Sequence, residues 1–172
     1  EVDERSQAQM TSSQTSATVA ALETLGYEVP AELVVADVVE DSPSLEILEP
    51  DDVIVAVTID GERQDVASFS GLTQLLSETP PATDVGVTVL RDGQEVDLDV
   101  TTGDDGEGGS VLGVLIDARH EFPVEVELAI SNIGGSSAGT MFALGIMDRL
   151  TPGDQTGGEV IAGTGTMDLD GM

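Results

Sequence analysis

Gly134-Gly135-Ser136-Ser137-Ala138-Gly139 sets two hydroxyls directly ahead of Thr140 to Leu150, a segment whose Met141, Phe142, Ile146 and Leu150 recur at helical spacing. Unpaired amides at the start of a helix attract negative charge. A serine held there can act as a nucleophile, with the developing oxyanion held by backbone N–H groups around Gly135 and Ser136. The same string also reads as structure alone, with Ser136 an N-cap and the glycines fitting a tight turn.

A serine nucleophile needs a base, and bases are scarce in this chain. The five basic residues are all arginines (Arg5, Arg63, Arg91, Arg119 and Arg149), and a guanidinium stays protonated. His120 is the only imidazole. Asp117, Asp148 or Asp154 would complete a triad with it and Ser137 on paper, but its place beside Arg119 at a strand entrance reads as a surface position. Cysteine is absent, which removes thiolate zinc sites and thiol nucleophiles together. The pairs Asp51-Asp52 and Asp104-Asp105 fit neither an EF-hand nor a repeated Asp-Gly calcium loop, so no metal is expected. No G-x-x-x-x-G-K-[ST] loop is present, so no ATP and no cofactor are expected.

Charge narrows the partners further. Among 172 residues, 34 Asp and Glu face 5 Lys and Arg, a formal net charge of -29. Nucleic acid is excluded because its phosphates are read by clustered basic residues, and anionic membrane surfaces are excluded for the same reason. Such acidity suits either a high-salt environment or simple solubility. At 40% hydrophobic residues the chain still has the material for an aliphatic core, whereas 2% aromatics leave no base-stacking platform. No apolar run approaches the roughly 18 residues of a membrane span. The start at Glu1 and the stop at Met172, just after an Asp-Gly turn signal, suggest a fragment of a longer protein.

The elements that must position these residues follow from pattern. Ala17, Ala20, Ala21, Leu22 and Leu25 form a helical face closed by Gly26, and the polar front half up to Ser16 reads as a linker or stalk. Short β-rich runs follow at Leu33 to Val39, Val53 to Ile59, Val85 to Leu90 and Glu95 to Val100, with hairpin-type dipeptides at Asp60-Gly61 and Asp92-Gly93. Ser68 to Ser77 carries Phe69, Leu72, Leu75 and Leu76 at helical spacing before Pro80-Pro81 forbids continuation. Residues 103–110, GDDGEGGS, read as a hinge, and a second domain is expected from Val111, opening with strands at Val111 to Ile116 and Val124 to Ile130. The reading is an α/β (α+β) chain divided as 1–32, 33–102, 103–110 and 111–172.

Asp41-Ser42-Pro43-Ser44, Leu48 to Ile54, Ile59-Asp60-Gly61 and Val89 to Gly93 together resemble a PDZ domain of the bacterial protease-associated kind over about Leu33 to Thr102. Pro50-Asp51-Asp52 departs from the family's Gly-Asp, which changes a turn and not the fold class. The resemblance implies that an extended polypeptide adds as a strand to a sheet edge. The edge expected here is the first strand, with Leu33, Val34 and Val35 as its peptide-binding residues. The alternative for these side chains is plain core.

From about His120 to Met172, VEVELAISNIGGSSAGTMFALGIMDRLTPGD followed by TGGEVIAGTGTMDLDG resembles the proteolytic domain of the Lon family. The order PDZ then Lon, with no ATPase between, is similar to the Lon-like PDZ-containing serine peptidases. That resemblance implies a serine endopeptidase with Ser137 as nucleophile and Thr164 supporting a Ser-Lys dyad, on a homo-oligomeric ring. It also implies a preceding N-terminal membrane helix and an extracytoplasmic catalytic part. Ser136 stands where the family has proline, and the family's lysine base would lie beyond Met172, so the fragment by itself is expected to be inactive. The competing class is a non-catalytic PDZ peptide-binding protein whose Lon-like half is only a scaffold.

Overall fold

The computed structural model describes residues 2–127, 136–153 and 157–167. In chain order its elements are α1 (Val2–Thr24), β1 (Ala31–Val38), β2 (Val53–Ile59), β3 (Glu62–Asp65) and α2 (Phe69–Ser77). Then come β4 (Asp84–Arg91), β5 (Gln94–Thr101), β6 (Gly103–Asp104), β7 (Ser110–Val111), β8 (Val114–His120), a 3-10 turn (Ser136–Ala138) and α3 (Gly139–Leu150). They form two compact units, Pro30–Glu121 and Glu1–Val29 with Phe122–Met172.

The Pro30–Glu121 unit is built on an antiparallel sheet in the order β5-β4-β2-β1-β8, with β3 paired to β2. Alternation decides which faces are buried. Val85, Val87 and Val89 of β4 point into the core with Leu33, Val35 and Val57, while Glu95, Asp97 and Asp99 are among the exposed positions of β5. Asp60-Gly61 and Asp92-Gly93 turn their hairpins with both residues at positive φ (52° and 81°, 53° and 77°), the backbone twist that two-residue hairpin loops require. Helix α2 starts where Ser68 Oγ accepts the Gly71 N–H at 3.0 Å, and buries Leu72 and Leu76 on the core. Each such leucine contributes about 1.5–3 kcal/mol of burial.

The other unit has a smaller core. Met10, Ala17 and Ala21 of α1 form one stripe, joined by the buried hydroxyl residues Ser13 and Ser16, and cluster with Phe142, Ala143 and Ile146 of α3. Gly26, at φ +83°, ends α1: its N–H bonds to Glu23 O and that of Tyr27 to Leu22 O, which satisfies the last carbonyls.

Four expectations are corrected here. The polar front half of α1 is helix rather than stalk, because its small hydroxyl residues let α1 and α3 approach closely. Residues 103–110 are not a hinge. They hold the β6–β7 hairpin, whose turn is tied by Asp104 Oδ1 accepting the Gly106 N–H and Asp105 Oδ1 accepting those of Glu107 and Gly109, at 2.7 to 2.9 Å. The chain after Val111 does not open a second domain. It returns as β8 and pairs with β1 from Ala31↔His120 to Val38↔Val114, packing Val114, Ile116 and Ala118 against the core. Val124 to Glu127 carry no strand, and residues 128–130 of that expected strand lie outside the described residues.

Candidate functional site

β8 ends the sheet, and α2 lies beside it. Between them is a cavity of about 490 Å³ whose walls are Phe69, Leu72 and Leu76 from the helix, Val114 and Ile116 from the strand, and Leu112 from the turn between. Three hydroxyls also line it, and each donates inward: Thr73 to Phe69 O (3.0 Å), Ser77 to Gln74 O (2.7 Å) and Ser110 to Leu76 O (3.0 Å). The walls are therefore apolar in effect.

The turn at Leu112-Gly113 is fixed from behind. Ser44 Oγ donates to Leu112 O at 2.5 Å, and the Val39 N–H donates to Gly113 O at 3.0 Å. In a trans peptide the N–H points opposite to the C=O of the same unit. Anchoring these two carbonyls therefore turns the Gly113 and Val114 N–H groups the other way, so that the Val114 N–H points toward the open edge of β8. Gly113 sits at φ +74°, and a Cβ there would collide with the Ser42 side chain, so only glycine fits without displacement.

The loop carrying Ser42 and Ser44 is held by an ion pair. Arg91 Nε and Nη2 reach the two oxygens of the buried Asp52 at 2.8 and 2.7 Å, Nη2 also reaches Ile47 O at 3.0 Å, and Nη1 reaches Glu49 at 2.9 Å. Burial alone would raise the Asp52 carboxyl. The hydrogen bonds from Arg91 and from the Glu49 N–H, with the charge of Arg91, outweigh it and hold the group below the ordinary aspartate value.

The residues expected to bind peptide are elsewhere. Leu33, Val34 and Val35 are 0%, 5% and 1% exposed, on a strand paired with β2 on one side and β8 on the other. β1 cannot receive a further strand, since β8 occupies that edge. The open edge is β8, and its sequence signal was the alternation Val114, Ile116, Ala118 against exposed Leu115, Asp117 and Arg119.

In the other unit, Ser137 is exposed in the 3-10 turn ahead of α3 and Thr164 lies against it: Thr164 Oγ1 donates to Ser137 O at 2.8 Å, and the Gly165 N–H reaches the same oxygen at 2.7 Å. The N-cap of α3 is Ala138, with no side-chain cap. Ser136 belongs to the same turn, and Gly135 lies outside the described residues. His120 belongs to the Pro30–Glu121 unit as the last residue of β8.

A family model described as PDZ domain matches residues 7–102, more than half of the sequence. The chain belongs to the PDZ domain family. Two solved PDZ domains of SdrC-like proteins are similar over 49% of this chain. The one from Listeria innocua shows 21% identity, 92% of its own length covered and a TM-score of 0.44; the one from Listeria monocytogenes shows 17%, 86% and 0.43. No curated protein matches the chain. The protein thus carries a PDZ domain, a peptide-binding module. The matched range takes in β1 to β5 and α2 and stops before β8.

Among the described residues, no helix is long and apolar enough to cross a membrane.

Proposed function

We propose that this PDZ domain holds an extended polypeptide as an added strand antiparallel to β8, with one apolar side chain seated on Leu72 and Leu76. The observation that carries the reading is the apolar cavity beside an edge strand whose first N–H, that of Val114, faces outward. Main-chain hydrogen bonds to β8 supply affinity, and the cavity selects the side chain. The Gly113 and Val114 N–H groups donate to the oxygen of the ligand residue nearest the turn. The test is amide hydrogen exchange of the full chain with and without an apolar decapeptide. Slowed exchange at Val114 and Ile116 is expected. Protection confined to the opposite edge strand, β5, would refute the reading.

A second reading is supported by the contact of Thr164 Oγ1 with the backbone carbonyl of Ser137, two residues 27 apart in sequence that the resemblance to Lon-type serine peptidases pairs. In it, Ser137 attacks a peptide carbonyl held near the amides of the 3-10 turn, and a lysine supplies the base. The 172 residues contain no lysine, so this reading requires a base supplied from outside them. The ring assembly and membrane anchor implied by resemblance go with it. Casein hydrolysis by a chain extended past Met172 is expected to vanish in Ser137→Ala and to persist in Ser136→Ala. Equal activity in parent and both variants would remove Ser137 from the chemistry.

A further inference from the structure

The cavity beside β8 has one charged residue among those lining it, Asp105 at the tip of the β6–β7 hairpin. Its Oδ1 is taken by the N–H groups of Glu107 and Gly109, while its Oδ2 accepts no hydrogen bond among the described residues. The three lining hydroxyls donate inward, as described above, and no cation lines the cavity. A ligand strand antiparallel to β8 ends, or passes, at the Val114 end of the strand, beside the turn that carries Asp105. The occupant therefore meets apolar walls, backbone donors and a single carboxylate oxygen.

We propose that Asp105 is a specificity residue, and that the groove selects an extended peptide with a lysine or arginine next to its apolar anchor. This rests on the peptide-binding reading above. Charge complementarity decides the occupant: a net charge of -29 and only five arginines make a second copy of this chain a repelled ligand and a basic peptide an attracted one. An exposed pair of this kind is worth about a two- to fivefold preference at moderate salt, and it fades when the Debye length shrinks to about 3 Å at 1 M salt.

The probes are three labelled decapeptides with the same central leucine, flanked on its C-terminal side by lysine, glutamine or glutamate, titrated by fluorescence anisotropy against the full chain. Lysine is expected to bind tightest and glutamate weakest, with a ratio of about fivefold or more. In Asp105→Asn the amide oxygen still accepts the two turn N–H groups, so the hairpin persists, and the lysine-to-glutamine ratio is expected to fall to near one. Glu78→Gln, just beyond α2 and not lining the cavity, is expected to leave the ratio unchanged. A preference that survives Asp105→Asn undiminished would assign it to the overall charge and overturn the proposal. Equal binding of all three peptides would overturn the proposal and leave the groove reading standing. Binding of none would sink both.

Discussion

Pro30–Glu121 and the unit formed by Glu1–Val29 with Phe122–Met172 solve the same problem with unequal means. The first buries twelve aliphatic residues in one cluster under a sheet, and an ion pair locks its longest loop. Among the described residues, the second joins two helices through six buried residues, two of them in α1 being alanines, adds a small cluster of Val19, Leu22 and Val29, and leaves Val160 and Ile161 at 98% and 55% exposed. A closed core can support a rigid groove by itself.

The largest effect is expected at Arg91, in the Pro30–Glu121 unit. Arg91→Met leaves Asp52 buried, charged and unpaired, which costs about 3–5 kcal/mol. Arg119→Met, at an exposed pair with Asp117, should cost less than about 0.5 kcal/mol. Urea denaturation followed by circular dichroism measures both. Because the folded carboxyl of Asp52 lies below its unfolded value, its contribution is present above pH about 4 and is lost as pH falls through the folded value. In Arg91→Met the burial that Arg91 outweighed is left to dominate, so acid should no longer destabilise through this group. A parent and variant that lose stability in parallel between pH 5 and 3 would show that Asp52 is not the group responsible.

Phe142→Ala probes the weaker core. Phe142 is 6% exposed between α3 and the α1 stripe, and its truncation is expected to cost about 3 kcal/mol. The loss should be confined to one unit: peptide binding at β8 should stay within twofold of the parent. A collapse of binding in Phe142→Ala would mean that the groove depends on the helical unit, and the comparison drawn above would fail.

Local chemistry made most elements legible and long-range pairing hid the rest. Ser68, Pro80-Pro81 and the two Asp-Gly turns act within a few residues, so α2 (Phe69–Ser77), the turn after β2 and the hairpin of β4 with β5 follow from sequence. β3 itself was not foreseen, because Glu62–Asp65 is polar and exposed at all four positions. The open edge of the sheet was misplaced for a different reason. Leu33-Val34-Val35 has the unbroken apolar run of a strand buried on both faces, which says nothing of its edges, and its second neighbour lies some 80 residues further on, beyond a Gly and acid run that mimics a linker. The meeting of Ser137 with Thr164 came from a resemblance over a whole segment, since no local rule joins positions 27 apart.

Gly113→Ala tests the groove directly. At φ +74° an alanine costs about 1–2 kcal/mol, and its Cβ must displace Ser42. Stability should fall by about 2 kcal/mol, and the shift of the turn should weaken peptide binding by more than stability alone explains, because the Gly113 and Val114 N–H groups are re-aimed. Unchanged affinity in a folded Gly113→Ala protein would detach this turn from the site.

A small effect of opposite sign lies at Asp51, which stands where the PDZ pattern has glycine. Asp51 holds φ +73°, and its N–H bonds to Val35 O at 2.9 Å, so the left-handed backbone is imposed by the way this loop meets β1. Aspartate tolerates that region better than most residues, yet glycine adopts it without strain. Asp51→Gly therefore exchanges relief of strain, and of one like charge beside Asp52 and Glu49, against the greater freedom of glycine in the unfolded chain. The first two should win by about 0.5 kcal/mol, because the loop is already pinned by Arg91 and gains no mobility from the change. A urea midpoint that falls in Asp51→Gly would show that chain entropy outweighs both, and that aspartate at this turn stabilises the loop rather than merely fitting it.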